Sequence, residues 1–426
     1  MSVYVKEIYP RVFKSNCKQT LFVKIGHDDM IDASLIRVKI QPMEQYSVLH
    51  TQKYRIDEEN RYEYVTLNDC GNDVYSVEYQ FTSEQQYNVK IRYNDEHLRS
   101  TYIYSLDNDL ASLKPFKGDT HLHSCRSDGE GTPFEVACNY RAAGYDFISV
   151  TDHHRFAPSL EAQNAVKELT DEFFVFRGEE VHNKDMGYFH IINFNGESSI
   201  NDIIETDDAY VEKELERILS TYDLSGLSDL KCVAYRIFVA EHIRKVNGVA
   251  IMAHPFWETF GEYHMQTEEF IHHWKNGHFD ALEVIAGCDG TGHGNNLQEM
   301  LRMDMISEGY RIPIVGSSDA HTTVNKVATD KFNNQFTLVF AKDFEDIPNA
   351  IKNECGVAID RQDDEHYRAI GKFRYSKYAR FLMNQFYPTY ANLCEQHASA
   401  LKNKSKVQIK EIENEINNFK EKFFNV

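Results

Sequence analysis

Five clusters of histidine and acidic residues recur in the middle of the chain, and each of the last four comes after a short apolar segment. Apolar segments that alternate with helical stretches indicate a parallel β/α fold. The carboxyl ends of the strands in such a fold meet at one face, so the clusters are expected to converge there. In chain order the clusters are Asp119–His123 with Asp128, Asp152–His154, Gly178–Glu180 with His190, His254, and Asp319–His321.

This shared placement predicts bound metal ions. His121 and His123 project to the same side of an extended strand and form a chelating pair. A single histidine at a strand end would more often be an ordinary core or surface residue. Five clusters at one place would bury charge at high cost unless cations lie among them. Two or three divalent ions are therefore predicted, and nitrogen and oxygen donors without cysteine favour Mn, Zn or Fe.

Neighbouring metal ions predict hydrolytic chemistry. Ions roughly 3.5–4 Å apart lower the pKa of a shared water and stabilise both the attacking and the leaving oxygen. The sequence contains no Gly-x-Ser-x-Gly motif and no Gly-x-x-x-x-Gly-Lys-Ser/Thr loop. A metal-bound hydroxide is therefore the predicted nucleophile, and no serine or cysteine nucleophile is required.

Taken together, the motifs resemble those of the polymerase and histidinol phosphatase (PHP) family. The chain has the family's Asp-x-His-x-His, Ser-Asp-Gly, Thr-Asp-His, Gly-x-Glu with a later histidine, Ala-His-Pro and Ser-Asp-x-His, in that order. The match extends from about Lys117 to Ala341, and the complete ordered set is far more specific than any one motif. The resemblance implies a distorted (β/α)7 barrel with a trinuclear metal centre.

The resemblance also implies which residues hold the ions. Glu180 would bridge, and it is preferred to Glu179 because the family's ligand is the third position of Gly-x-Glu. Asp119 and Asp152 are expected to support neighbouring histidines rather than to bind metal. The hydroxide would be held by Glu180, His254 and Asp319. The three implied ligand sets are His121, His123, Glu180 and Asp319; Asp128, His153 and His321; and Glu180, His190 and His254.

The rest of the chain suggests additional domains. Residues 1–112 contain short alternating segments and predict an immunoglobulin-like β-sandwich. Residues 113–345 form the predicted barrel, with an insertion at about 196–247 that is either a lid or, as favoured, a helical elaboration of the barrel wall. Residues 346–426 are predicted to be a helical extension. A domain added before the barrel resembles the branch of the family related to carbaryl hydrolase, whose members need not be phosphatases.

Composition excludes several classes of protein. The 66 acidic and 46 basic residues give a formal charge of −20, which argues against general nucleic-acid binding but leaves a nucleic-acid substrate open. No apolar run is long enough for a membrane span, and the first residues lack a signal-peptide core. The eight cysteines are scattered, so reduced thiols and a cytoplasmic location are expected. The sequence does not indicate an oligomeric state.

Four residues near the clusters are candidates for substrate contacts. Arg126 and Arg155 flank predicted ligands and could hold an anionic group, or could form surface salt bridges instead. Trp257 could stack on a substrate or pack in the pocket wall, and His264 could transfer protons or face solvent. Glu283, at a predicted strand end, could hydrogen-bond a ligand histidine or pair with a nearby base.

These observations leave three functions open. The leading hypothesis is hydrolysis of a small-molecule phosphoester. The second is hydrolysis of a carboxylic ester, carbamate or amide at the same metal cluster, which an arginine-poor pocket would support. The third is a non-catalytic binding or regulatory protein on the same fold, and the complete set of predicted ligands argues against it.

Overall fold

A computed structural model describes residues 3–28, 31–44, 63–182, 189–288, 292–323, 332–361 and 366–425. The chain divides into two compact units. The first comprises Met1–Leu113, Phe381–Thr389 and Asn414–Val426, and the second comprises Lys114–Arg380 and Tyr390–Glu413. The three-domain division at residues 112 and 345 stays a prediction.

The first unit contains two largely antiparallel sheets. Alternate residues of the long strands are buried, and residues of both sheets meet in one hydrophobic cluster that includes Leu21, Val23, Val38, Phe81 and Val89. One sheet has the order Val3–Tyr9, Cys17–His27, Val74–Phe81, Asn68–Asp69. The other has the order Phe424–Asn425, Val12–Lys14, Glu96–Leu106, Gln85–Tyr93, Ile36–Pro42, Val65–Thr66. A 3-10 turn, Ala33–Leu35, and a short helix, Asn108–Ala111, complete the unit.

The second unit is a mixed α/β structure with two larger sheets. One has the order Phe174–Phe176, Phe147–Ser149, Lys114–Asp119, Gln335–Ala341, Gly356–Arg361, Tyr367–Ile370, and its first three strands are parallel. The other has the order Gly178–Val181, Ile191–Phe194, Val249–Met252, Ala281–Ala286, Ile314–Ser317, and its last three strands are parallel. A hairpin of Glu258–Thr259 and Glu262–Tyr263 stands apart.

Two isolated bridges connect the ends of these sheets. Leu122 pairs with Ala320, and His153 pairs with Glu180, in both cases in the parallel sense. The strand ends that carry the clusters are thereby brought together. The sheets do not form one closed barrel in the described residues, so the (β/α)7 barrel remains a proposal.

Helices flank the strands of the second unit, and three of them also contain residues of the first. None of the described helices is long and apolar enough to cross a bilayer. The helices are Pro133–Ala142, Ala157–Lys167, Asn201–Thr206, Asp208–Thr221, Leu230–Lys245, Thr267–Lys275, His293–Ser307, Ile347–Lys352, Phe373–Gln385, Tyr387–Lys402 and Lys406–Phe423.

The insertion at 196–247 forms three of these helices. Val211, Leu215 and Ile218 are buried in a cluster that also contains Ile191 and Ala250 from the adjoining sheet. Nearly every residue in the middle of Leu230–Lys245 is buried as well. This packing is that of a wall element, the alternative that the sequence favoured over a lid.

The predicted helical extension from residue 346 is wrong for Gly356–Arg361 and Tyr367–Ile370, which are strands. Gly356–Arg361 pairs with Gln335–Ala341, and Tyr367–Ile370 extends the sheet further. The segment Gly356–Asp360 is fully buried. A short apolar run of this length fits a strand or a helix equally well, and only its long-range pairing decides between them.

The sequence Thr132-Pro133-Phe134-Glu135 predicts a capping box at the start of a helix, and the structure confirms it. The Thr132 hydroxyl accepts from the Glu135 backbone N–H, the Glu135 carboxylate accepts from the Thr132 backbone N–H, and Pro133 occupies the first turn. This helix begins directly after the loop that carries Asp128, so the cap fixes where that loop ends.

Thr132→Ala should lower the free energy of unfolding by about 1 kcal/mol, because the first helical turn loses its side-chain acceptor. Urea titration of the full chain followed by circular dichroism measures the change. Thr132→Ser keeps the acceptor oxygen and should remain close to the wild type. Equal losses in the two variants would show that the cap does not stabilise this helix.

Candidate metal centre

The nine predicted ligands lie together at the strand ends of the second unit. Their donor atoms form overlapping groups in which all atoms are within 4.8 Å of one another. Most of these side chains are buried, although Asp128 and His321 reach solvent. The groups include His123, Asp128, His153 and His321; His121, His123 and Asp319; His121, Glu180 and His254; and two that add a histidine outside the nine, His190, His254 and His264, and His153, Glu180 and His182.

The Glu180 carboxylate lies at the middle of the imidazoles. Its Oε1 is 2.6 Å from His190 Nδ1, and its Oε2 is 2.7 Å from His153 Nδ1 and 3.4 Å from His121 Nε2. Glu180 is fully buried, yet neither oxygen has a hydrogen-bond partner among the described residues. Carboxylate oxygens and imidazole nitrogens that converge in this way are arranged as metal ligands are, with their lone pairs directed at a shared cation. These residues therefore fit a metal cluster.

Two aspartates extend the centre on either side of Glu180. Asp319 Oδ1 is 3.0 Å from His123 Nε2 and 3.1 Å from His121 Nε2. Asp128 Oδ2 is 3.3 Å from His153 Nε2 and 3.4 Å from His321 Nε2. The three carboxylates therefore lie among the same set of rings, as the predicted ligand sets require.

Hydrogen bonds outside the centre determine the tautomer of two rings. His121 Nδ1 lies 3.0 Å from the Glu283 carboxylate, and His321 Nδ1 lies 3.0 Å from the Asp319 backbone carbonyl. Both oxygens can only accept, so in each ring Nδ1 carries the hydrogen and Nε2 presents a lone pair to the centre. Glu283 also accepts from the backbone N–H of His254, so it orients two predicted ligands.

Three further carboxylates hold the backbone rather than the rings. Asp119 accepts from the backbone N–H groups of His121 and Ser318, and Asp152 accepts from Ser124 and Ser127. The support predicted for Asp119 and Asp152 is thus observed as hydrogen bonding to the loops. Glu179 faces the opposite side of its strand from Glu180 and accepts hydrogen bonds from Asn193, Ser199, Ile200 and Asn201.

The backbone at the centre is strained. His254 has a φ of 23° and Asp319 a φ of 47°, both in the region that side chains with a Cβ rarely adopt. Such conformations persist only when surrounding contacts fix them, and they concentrate at functional sites. Ser318 N–H donating to Asp119 and His254 N–H donating to Glu283 are the contacts that do so here.

One residue of the centre, His182, was not predicted from the sequence. His182 Nε2 is 2.7 Å from His153 Nδ1 and 3.5 Å from Glu180 Oε2. Its signal was present, because His182 follows Glu180 by two positions and so projects to the same side of the strand, as His123 does with His121.

The four candidates for substrate contacts fall into two places. The Trp257 ring lies 5.2 Å from the His254 ring and 4.8 Å from the His264 ring, so both side chains line the centre. Arg126 and Arg155 border a separate cavity of about 430 Å³, which His154 also lines. Arg126 is half-exposed and forms a two-pronged ion pair with Glu161, the salt bridge considered as its alternative role.

Burial and charge act in opposite directions on the central carboxylates. Burial raises the pKa of Glu180, but the charges of His190 and His121 hold it well below its usual value. Burial likewise raises the pKa of Asp319, and His121 and His123 lower it well below its usual value. Both groups are therefore ionised and available as ligands. Burial and the neighbouring His254 lower the pKa of His264 to about 3, so its ring is neutral.

Comparisons with known proteins give structural neighbours only. No protein-family model and no curated protein matches the chain. A two-domain protein from Bacteroides vulgatus that contains a predicted PHP-like metal-dependent phosphoesterase is 19% identical over 58% of this chain, with a TM-score of 0.41. The match covers 65% of that protein, which is less than two thirds of its length.

Two further neighbours cover 48% of this chain and 87% of their own. One is a proposed metal-dependent phosphoesterase from Bifidobacterium adolescentis, with 18% identity and a TM-score of 0.35. The other is an amidohydrolase from Chromobacterium violaceum with bound sulfate, with 17% identity and a TM-score of 0.32.

Glu180→Gln should remove bound metal while the protein stays folded, because the amide cannot supply a charged bridging ligand. Glu179→Gln should instead lower the free energy of unfolding by about 1–3 kcal/mol, since its amide N–H₂ would face existing donors. Elemental analysis and urea unfolding of the metal-free proteins separate the two effects. Metal retained by Glu180→Gln but lost from folded Glu179→Gln would reverse our assignment of these neighbours.

Glu283→Gln should weaken metal binding about 10- to 100-fold, because the amide has one acceptor oxygen for two donors, His121 Nδ1–H and the His254 backbone N–H. Competition with a metal-binding dye measures the affinity. Glu262→Gln, an exposed change of the same chemistry on the outer hairpin, is the control. An affinity equal to that of the control would mean that Glu283 serves only to hold the fold.

Proposed function

We propose that the protein is a metal-dependent hydrolase of the PHP type. The observation that carries this proposal is the buried Glu180 carboxylate, whose oxygens lie within 2.6–3.4 Å of imidazole nitrogens without hydrogen bonding to any of them. The ordered sequence motifs support the same family. The distorted (β/α)7 barrel, the carbaryl-hydrolase branch and the cytoplasmic location are parts of this proposal.

The proposed ligands form three connected sets. His121, His123, Glu180 and Asp319 would hold one ion, Asp128, His153 and His321 a second, and Glu180, His190 and His254 a third. His182 is an additional candidate beside Glu180 and His153, and His264 is one beside His190 and His254. Nitrogen and oxygen donors without a cysteine suit Mn, Zn or Fe.

The protein's own residues would position and polarise the reaction. Bound divalent ions would lower the pKa of a water molecule and would stabilise negatively charged oxygens electrostatically. Glu283 and the Asp319 carbonyl keep the His121 and His321 rings in the tautomer that presents Nε2 to the centre. Trp257 closes one wall with an apolar ring, which excludes water from that side. His264 lies on the same wall, and its pKa of about 3 keeps its ring neutral there.

A phosphoester is the leading substrate class, because phosphoryl oxygens suit a metal cluster and the motifs resemble those of phosphoesterases. One observation favours the alternative, an ester, carbamate or amide. Among the described residues, Asp128, Glu180 and Asp319 form ion pairs only with histidines, so no arginine or lysine directly adjoins the central carboxylates.

Hydrolysis of matched chromogenic substrates tests both classes. Protein reconstituted with Mn, Zn or Fe is assayed with an aryl phosphate, an aryl phosphodiester, an aryl ester and an aryl carbamate. Turnover of the phosphates is expected to exceed turnover of the others. Activity on the ester or carbamate alone would replace the leading hypothesis with the alternative.

His123→Ala should abolish turnover of every substrate, because its ring is shared by two of the donor groups. The matched control is His97→Ala, which removes an exposed histidine of the first unit. Full activity in His123→Ala, or no activity of the metal-loaded wild type on any of the four substrates, would sink the proposal.

A further inference from the structure

A groove in the first unit is lined mainly by positively charged side chains, although the whole chain has a negative net charge. Its volume is about 520 Å³, within the usual range for ligand pockets, and all of its lining residues belong to the first unit. The charged residues that line it are the cations Lys6, Arg11, Lys24, Arg99 and Lys422 and the single carboxylate Glu7. The chain as a whole carries a net charge of −20.

The one carboxylate is already neutralised. Glu7 lies 2.5 Å from the Lys422 ammonium, which also sits 4.3 Å from the centre of the Tyr9 ring. Four cations therefore remain around the groove. Lys6 and Lys24 help to lower the pKa of Asp73 outside the lining, although the hydrogen bond from His27 is the larger cause. The two arginines form no ion pair with a carboxylate among the described residues.

Arg11 is fixed in place rather than free to move. Its Nε donates to the Tyr102 carbonyl at 3.0 Å, and its Nη2 donates to that carbonyl, to Thr101 and to Gln385. Its Nη1 makes no hydrogen bond to the described residues and is not enclosed by protein. A guanidinium held on one edge and open on the other is prepared for an acceptor that arrives from the groove.

The two arginines repel one another. Burial is the main reason that the pKa of Arg11 falls to about 10, and the nearby charge of Arg99 lowers it further. Like charges held together in a partly buried place raise the free energy of the empty groove. An anion between them would remove that repulsion and gain charge-assisted hydrogen bonds from both.

We infer that this groove binds a small multivalent oxyanion of the phosphate type, at a site that contains none of the metal-centre residues. Guanidinium groups match the oxygens of a phosphoryl group in geometry, and Lys24 adds a further positive charge to the lining. Ile8, Phe419 and Phe423 provide apolar lining, so the groove can also accept an uncharged part of the same molecule.

Calorimetric titration with tripolyphosphate tests the inference on the full-length protein. The variant is Lys24→Ala with Arg99→Ala, both at positions where the chain is solvent-accessible. The control is Lys14→Ala with Arg37→Ala, which removes two cations of the same unit outside the groove. The titrations are run at about 0.15 M salt, where charges more than ~8 Å apart are largely screened.

The groove variant is expected to bind tripolyphosphate at least about tenfold more weakly than the control, because it loses direct charge-assisted contacts. Any binding at the metal centre is common to both proteins and cancels in the comparison. Equal affinities of variant and control, or no binding by the wild type, would overturn the inference.

A second measurement locates the bound anion. Hydrogen–deuterium exchange of the wild type should show tripolyphosphate-dependent protection at residues 3–13 and 414–425, which border the groove. Arg11→Lys keeps the positive charge but removes the guanidinium, which is bonded to the protein on one edge and open to the groove on the other. This variant should therefore show less protection. Protection confined to other segments would count against the groove, whatever the affinity.

Discussion

The buried charge of Glu180 is the constraint on which the second unit depends. A carboxylate with no exposed surface can stay ionised only if positive charge lies beside it. Protonated imidazoles can compensate it in the metal-free protein, but an imidazole that gives its lone pair to a metal is neutral and leaves the compensation to that metal. The hydrogen bonds of His121 and His321 turn those lone pairs inward, so the fold itself creates a demand for cations. The proposed metal centre is the simplest way to meet that demand.

Neighbouring residues divide the work of ligation and support. Glu179 and Glu180 lie on opposite sides of one strand, so one carboxylate stabilises the loop at 198–201 while the other faces the rings. Asp119 and Asp152 likewise stabilise loops by accepting from backbone N–H groups. His254 and Asp319 have strained backbone conformations. Hydrogen bonds of this kind are needed to keep their side chains in place, because an unsupported loop would move to a conformation of lower energy.

The sequence predicted local features well and long-range pairing poorly. The placement of His121 and His123 followed from strand alternation, and the Thr132 cap followed from residue types in one turn. The strand Gly356–Arg361 was missed because its own residues fit a helix equally well and its pairing with Gln335–Ala341 decides its structure. His182 was missed for a different reason, since it lies beyond the Gly-x-Glu motif, although its spacing from Glu180 carried the same alternation. Whether the two sheets close into a barrel depends on register, which no local pattern encodes.

Because the protein carries a large negative charge, the binding of an anion at either candidate site depends on positive groups close to it. A net charge of −20 slows the approach of anions, since steering by the whole protein favours cations. Salt weakens this repulsion beyond ~8 Å, whereas contacts inside a pocket are screened much less. Binding of an anion must then rest on positive groups held where it arrives. In the first unit, Arg11 meets that requirement because Tyr102, Thr101 and Gln385 immobilise one edge of its guanidinium. At the proposed metal centre, bound cations would meet it, because the described carboxylates there are paired with histidines alone.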